Sequence, residues 1–202
     1  MFTGIIEEVG EIIALNFCKG DVKLRVKTNS LDSSKMQLGD SIATNGVCLT
    51  IAALFDDGYE SDVSSETLSV TSIGSWSIGT KVNLERALTI DVRLGGHLVL
   101  GHIDGIGEIV SRFPDARSER FRLRAPDMLA KYIAQKGSIT VDGVSLTVNK
   151  VDGAEFELNI VPYTLEHTVM STYQSGSKVN LEVDVIARYV ERLMLGDAAA
   201  DT

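Results

Sequence analysis

The sequence predicts an all-β protein in which two compact antiparallel barrels, related by internal duplication, stand in tandem ahead of one C-terminal helix. Three observations carry this. The first is a repeat. SIATNGVCLTI at 41–51 aligns with SITVDGVSLTV at 138–148 with six identities in eleven positions, and GTKVNLE at 79–85 aligns with GSKVNLE at 176–182 with six in seven. Gly10-Glu11-Ile12 matches Gly107-Glu108-Ile109, Thr67-Leu68 matches Thr164-Leu165, and every pair is 97 residues apart. A constant offset means that the halves share element lengths as well as motifs. Two copies of this length are tandem domains, because solenoid units run to about 20–45 residues and need three or more copies. The second observation is β texture inside each half, and the third is a helical stripe found only at the tail.

The elements follow in order. Val22-Lys23-Leu24-Arg25-Val26 alternates, as does Phe121-Arg122-Leu123-Arg124, so each reads as a strand with one buried face. Asp57-Gly58 and Asp152-Gly153 lie between apolar, β-prone runs and predict hairpin turns; Asn45-Gly46 and Asp142-Gly143 predict two more inside the strongest repeat. Short helical turns are expected near 31–36 and at 126–133, where Pro126 suits a first helical position. Another begins at Ser64-Ser65-Glu66-Thr67 with a serine N-cap, and its copy begins at Pro162-Tyr163-Thr164. Some six short strands per half leave exposed edges unless each sheet closes, and closure into a small barrel removes them. The barrels are expected to join near Leu94-Gly95-Gly96, giving domains 1–94 and 95–185. In the tail, 186–202, Ile186, Tyr189, Val190, Leu193 and Met194 form an apolar helical stripe without a counterpart in the first half. Both barrels look complete without it, so it is read as an assembly helix, with 196–202 as a frayed end.

Composition narrows the function. Net charge is −9, from 19 basic and 28 acidic residues, whereas phosphate-backbone binding needs clustered Lys and Arg. The densest basic stretch, Arg117, Arg120, Arg122 and Arg124, is spaced as a solvated strand face, so nucleic acid is not an expected partner. Cys18 and Cys48 make no disulfide framework, the N-terminus does not resemble a signal peptide, and no apolar run approaches the roughly 20 residues of a membrane helix. The expectation is a cytoplasmic protein with reduced thiols and no membrane association. No metal is expected: His97 and His102 would point to opposite faces of a strand, and neither CxxC nor HExxH spacing occurs. The glycine-rich run at 95–102 lacks the spacing of a phosphate loop and reads as a linker and strand start.

The repeated NGVCLT and DGVSLT segments carry the chemistry. Cys48 and Thr50 share one strand face, Ser145 and Thr147 the same face of the copy, and apolar residues take the other side. Solvent faces here otherwise carry Lys, Glu and Asp. Hydroxyl and thiol groups suit a pocket for a flat, polyoxygenated ligand. The copies diverge at Cys48 against Ser145, and where Phe2 to Ile5 stand opposite Val99 to His102. This suggests two sites of similar shape and different chemistry.

With MFTGII at the start, the paired NGVCLT and DGVSLT segments, GGHLVLGHID at 95–104 and the two VNLE repeats, the chain resembles the riboflavin synthase family over residues 1 to about 194. The resemblance implies two six-stranded Greek-key barrels, a C-terminal helix that assembles a homotrimer, and dismutation of two 6,7-dimethyl-8-ribityllumazine molecules. One lumazine gives a four-carbon unit to the other, forming riboflavin and 5-amino-6-ribitylamino-pyrimidinedione with no cofactor and no metal. It further implies one lumazine per barrel, a working site between neighbouring subunits, and leaves open an association with lumazine synthase. Residue by residue, Ser41, Cys48, Thr50, Glu66 and Thr67 match the first pocket, and His102, Lys136, Ser145, Thr147, Thr164 and Asp184 the second. Phe2 matches an N-terminal aromatic associated with activity. Cys48, His102, Ser145 and Thr147 are the expected catalytic groups alongside Phe2, with the others binding substrate. Tyr163 departs from the family, where many members carry Glu. A lumazine- or flavin-binding antenna protein of the same fold is the alternative, and a flavin-using oxidoreductase domain a more remote one.

Overall fold

The computed structural model describes residues 1–18 and 20–196, so most of the expected frayed end lies outside the described residues. The described residues form two closed antiparallel barrels. The first contains β1 (Glu8–Cys18), β2 (Asp21–Lys27), β3 (Ser41–Thr44), β4 (Val47–Phe55), β5 (Gly58–Val63) and β6 (Lys81–Arg86). The second contains β7 (Gly105–Asp115), β8 (Ser118–Arg124), β9 (Ser138–Val141), β10 (Val144–Asp152), β11 (Glu155–Ile160) and β12 (Lys178–Val183). Around the first ring the order is β1-β2-β5-β4-β3-β6, and the second repeats it strand for strand. Small barrels need sharply bent strands, and β-bulges supply the bend. Register shifts fall at Ile12/Ala14 and Ile51/Ala53, and again 97 residues on at Ile109/Ser111 and Val148/Lys150.

The turns obey the same duplication. Asn45 and Gly46 have φ of 45° and 78°, and Asp142 and Gly143 have 44° and 83°. Two successive positive φ values make the tight hairpin turn whose twist matches its strands, and Asn or Asp before Gly is the pair that tolerates it. Asp57-Gly58 differs slightly from expectation: Asp56-Asp57 make the turn and Gly58 opens β5. A Cβ there would stand 2.0 Å from the Val26 carbonyl oxygen, so only glycine fits.

Helix α1 (Ser65–Val70) starts where expected, with Ser64 Oγ accepting the Thr67 N–H at 3.2 Å. Its copy α2 (Pro162–His167) opens on proline. The other two expected turns are 3-10 helices at Ser33–Lys35 and Asp127–Tyr132, with Pro126 one position ahead of the helix rather than inside it. Two further 3-10 turns, Ser72–Ser75 and Val169–Thr172, follow α1 and α2 under threonine caps, Thr71 and Thr168.

Inside the barrels the copies keep packing while exchanging polarity in pairs. Tyr59 is fully buried, and its hydroxyl needs a partner there; Thr44 Oγ1 lies 2.6 Å away. At the equivalent positions the second barrel has Phe156 and Val141, so hydroxyl and partner are absent together.

The barrels meet about a pseudo-twofold axis through their tight turns. Asn83 Nδ2 donates to the Asp142 carbonyl and Asn180 Nδ2 to the Asn45 carbonyl, both at 2.9 Å. The same side chains accept from Val169 N–H at 2.9 Å and Ser72 N–H at 2.7 Å. Each VNLE asparagine therefore satisfies two buried backbone groups of the opposite half. Gly46 and Gly143 abut so closely that a Cβ on either would lie within 3 Å of the other's backbone nitrogen.

Helix α3 (Val185–Leu195) is capped by Asp184, whose side chain accepts the Ile186 N–H at 3.0 Å. Arg188 anchors it to Asp104 at 2.7 Å and to the His102 carbonyl at 2.8 Å. Its apolar stripe does not cover its own barrel: Ile186, Tyr189, Leu193 and Met194 are 62 to 82% exposed. The arginine run on β8 is neutralised, Arg120 by Asp115 and Glu157 and Arg122 by Glu155. Among the described residues no helix is long and apolar enough to cross a membrane.

Candidate active site

Strand register sets the small polar residues in rows on the outer walls of the barrels. In the first, Cys48 pairs with Ala43 and Ala43 with Glu85, while Ser41 pairs with Thr50. In the second, Ser145 pairs with Thr140 and Thr140 with Glu182, while Thr147 pairs with Ser138. Side chains of directly paired residues lie on the same sheet face. Each barrel thus presents one patch of hydroxyl and thiol groups with a carboxylate at its far end. Ser41, Cys48 and Ser145 are half-buried, and Thr50 and Thr147 are exposed.

Each patch is floored by an extended strap from before its neighbour's first strand. Residues 1–4 and 98–101 run antiparallel, bridged by Phe2 N–H to the Val99 carbonyl at 2.7 Å and the reverse at 3.1 Å. They then diverge. The Gly4 carbonyl accepts from Ser145 N–H at 2.8 Å, on the second barrel, while the Gly101 carbonyl accepts from Cys48 N–H at 2.9 Å, on the first. Gly4 and Gly101 have φ near 76° and 77°, and a Cβ on either would come within 2.6 Å of the partner's Cβ. Phe2 is fully buried with Ala43 and Val99, against Cys48. It packs against the first row from the protein interior and does not reach outward. The expected linker at 94–96 is correspondingly longer: β6 ends at Arg86, β7 starts at Gly105, and the intervening chain returns across the first barrel.

Two buried carboxylates hold the straps. Glu85 accepts from Thr3 N–H at 2.7 Å, Thr3 Oγ1 at 2.6 Å and Gly4 N–H at 2.9 Å. Glu182 accepts from Leu100 N–H at 2.8 Å and Gly101 N–H at 2.9 Å. Burial raises both, Glu182 to about 7, against the pull of these N–H groups.

The residue missed by sequence reasoning is His97. Buried beside the second row, it shares a hydrogen bond of 2.7 Å between Nδ1 and Ser145 Oγ, and one of 3.2 Å between Nε2 and Thr140 Oγ1. Burial lowers its pKa, opposed by the charge of Asp184, so the ring is neutral at neutral pH and able to exchange a proton with Ser145. The first row has Ala43 where the second has Thr140, so the two walls differ in polarity at this point. His97 and His102 are not on a common strand; the segment carries one bridge, at Val99, and His102 is exposed.

The other expected residues lie around the rows. Glu66 is exposed and Thr67 half-buried on α1, with Thr67 Oγ1 3.1 Å from Ser64 Oγ. Lys136, exposed at φ 66°, sits in the turn ahead of β9, with its N–H on the Val148 carbonyl at 2.7 Å. Thr164 is half-buried on α2, where Tyr163 stacks on His167 with ring centroids 3.9 Å apart. Register brings Ser41, Cys48 and Thr50 together, and Ser145 with Thr147; no hydrogen bond joins Glu66, Lys136 or Thr164 to either row. Two surface cavities, about 620 Å³ beside Arg112 and Tyr173 and about 350 Å³ between Trp76 and Tyr173, include no residue of the rows. Each row grades from a buried carboxylate end, Glu85 or Glu182, to an exposed threonine, Thr50 or Thr147.

Residues 3–87 and 100–184 each match the lumazine binding domain. Riboflavin synthase of Photobacterium phosphoreum is 47% identical over 201 residues, spanning 100% of this chain and 92% of that protein. Riboflavin synthase of Brucella abortus is 46% identical over 198 residues, spanning 96% of this chain and 98% of that protein. Among solved structures, LumP complexed with 6,7-dimethyl-8-(1'-D-ribityl) lumazine has a TM-score of 0.82 at 21% identity, and LumP complexed with riboflavin 0.83 at 23%. Each covers 91% of this chain and 99% of its own, a likeness of fold. With both halves matching one domain and the curated identity running almost end to end, the chain belongs to the riboflavin synthase family.

Proposed function

We propose that the protein catalyses the riboflavin synthase reaction, in which two molecules of 6,7-dimethyl-8-ribityllumazine react. One gives up a four-carbon unit and leaves as 5-amino-6-ribitylamino-pyrimidinedione; the other gains it and becomes riboflavin. The observation that carries this reading is the pair of matched polar rows, 97 residues apart, in a chain 47% identical to a riboflavin synthase along its length. Two identical substrates call for two similar sites. Domain 1–94 holds one lumazine against Ser41, Cys48, Thr50 and the α1 residues Glu66 and Thr67. Domain 95–185 holds the other against Ser145, Thr147, Lys136, Thr164 and Asp184, with His102 at its edge.

The chemistry needs a proton removed from the acidic C7 methyl of one ring and a nucleophile accepted at C7 of the other. Neutral His97, bonded to Ser145, supports proton movement in the second barrel, and the Cys48 thiol is the corresponding polar group in the first. Phe2 contributes by supporting Ala43 and Cys48 of the first row from beneath. The exposed ends of both rows, at Thr50 and Thr147, support a reacting pair held between the first barrel of one subunit and the second barrel of its neighbour. The α3 stripe supplies the contact for a homotrimer in the cytoplasm.

The test is to incubate the purified protein with 6,7-dimethyl-8-ribityllumazine and follow riboflavin absorbance. One riboflavin per two lumazines consumed, with two lumazines bound per chain in titration, is the expected result. Binding without riboflavin would favour the antenna reading, which the likeness to LumP keeps in view; one lumazine per chain would overturn the two-site reading.

A further inference from the structure

The strap contacts cross the barrel boundary. Glu85 belongs to the first barrel, yet the strap it holds, Thr3–Gly4, lies on Ser145 of the second. Glu182 belongs to the second, yet Leu100–Gly101 lies on Cys48 of the first. We infer that Glu85 and Glu182 are positioning residues acting in trans between the barrels, each setting the floor of the other barrel's polar row. The inference rests on the reading of those rows as lumazine sites.

Three features support it. Both carboxylates are buried, at 4% and 1% exposure, so their desolvation is offset chiefly by the strap N–H groups. Both use two oxygens on two consecutive amides, a geometry that fixes the strap's direction as well as its height. Clearance is small: strap glycines meet the row at distances that exclude a methyl group, so a shift of a few tenths of an ångström moves the Cys48 or Ser145 side chain. Among the described residues every hydrogen bond that either carboxylate accepts comes from a strap, and none comes from Cys48, Ser145 or His97.

Glutamine keeps the shape and one acceptor oxygen but turns an N–H₂ group toward the second strap amide. The experiment compares Glu182→Gln and Glu85→Gln with the parent by amide hydrogen exchange and by lumazine titration. In Glu182→Gln, exchange should quicken at Gly101 and at Cys48, whose amide bonds to Gly101, while Gly4 and Ser145 stay protected. Glu85→Gln should do the reverse. Each variant should weaken one of the two lumazine-binding events about tenfold, the scale of one charge-assisted hydrogen bond, and spare the other. A carboxylate that merely stabilised its own barrel would loosen that barrel's strand amides, and that uncrossed pattern overturns the inference. Should a variant fail to fold, the unmutated protein decides: protected amides at Gly4, Gly101, Cys48 and Ser145 support the straps as fixed floors, and rapid exchange there overturns it. Crossed protection in a protein that forms no riboflavin would remove the proposed function and leave the cross-barrel hold standing. Turnover with uncrossed protection would do the opposite.

Discussion

At the scale of single residues, the duplication makes each half a control for the other. Asn45 and Asp142 occupy equivalent turn positions, and each accepts the backbone N–H of the opposing asparagine in its own barrel, Asn83 at 2.7 Å and Asn180 at 2.9 Å. Only the second is ionisable. Burial pushes the Asp142 carboxyl up to about 7, against the bonds from Tyr173 Oη, at 2.5 Å, and Asn180. In an unfolded chain that carboxyl titrates near ~3.9. The folded state therefore holds the proton more tightly, and Asp142's contribution to stability is full below about pH 4 and lost as pH rises through about 7. Asp142→Asn reproduces what the first half already does at Asn45. It should be more stable than the parent at pH 8, by on the order of 1–4 kcal/mol, with the gain shrinking toward pH 4. Urea unfolding at fixed protein concentration measures this; a difference that does not change with pH would mean that Asp142 is not a buried titrating group. The turn itself is legible in the sequence, because Asn-Gly and Asp-Gly announce positive φ. The cost of the aspartate is not, since burial at the barrel junction follows from long-range packing.

At the scale of elements, the locally encoded features are legible: strands alternate, tight turns carry Asn-Gly and Asp-Gly 97 residues apart, and the tail helix shows its stripe. The bulges that close the barrels carry no such local signal and emerge only from strand pairing. The straps escape such reading. They pair with each other and with the opposite barrels across 53 to 141 residues, and GGHLVLGHID looks like any linker running into a strand. His97 was missed for the same reason: its partners Ser145 and Thr140 are reached only through the fold. A glycine pair exposes the difference between local and long-range demands. Gly39 and Gly101 both have left-handed φ, +91° and +77°, but a Cβ on Gly39 meets nothing within 4 Å and one on Gly101 meets Cys48 Cβ at 2.6 Å. Gly39→Ala should cost only backbone strain, about 1–2 kcal/mol, and leave lumazine binding intact. Gly101→Ala adds a steric clash, for a total of roughly 2–4 kcal/mol, and should weaken lumazine binding on the first barrel. Equal lumazine affinity in the two variants, read by fluorescence titration, would show that the strap's height does not set the site.

At the scale of the whole molecule, two closed barrels with their own cores leave little for α3 to do within one chain. Its anchors to Asp104 and the His102 carbonyl are polar, and its stripe is left exposed. Five exposed apolar residues on one helix face cost solubility unless a neighbour covers them. Each row also ends in an exposed threonine, Thr50 or Thr147, and a reaction between two bound rings gains most from holding them in register. Such juxtaposition is worth about 7–11 kcal/mol, whereas general acid–base assistance is worth about 10²–10⁴-fold. If a neighbour supplies the second ring, assembly and turnover must fail together while folding persists. Leu193→Glu combined with Met194→Glu places charge on the two most exposed positions of the stripe, at 80% and 82%, far from either barrel core. The expected product is a monomer by sedimentation that still unfolds cooperatively and still binds lumazine. Its riboflavin formation should fall by at least about 10²-fold, since a lumazine bound to one chain alone then never faces a partner ring. A monomer that keeps full turnover would place both rings within one chain and make the stripe irrelevant to the chemistry.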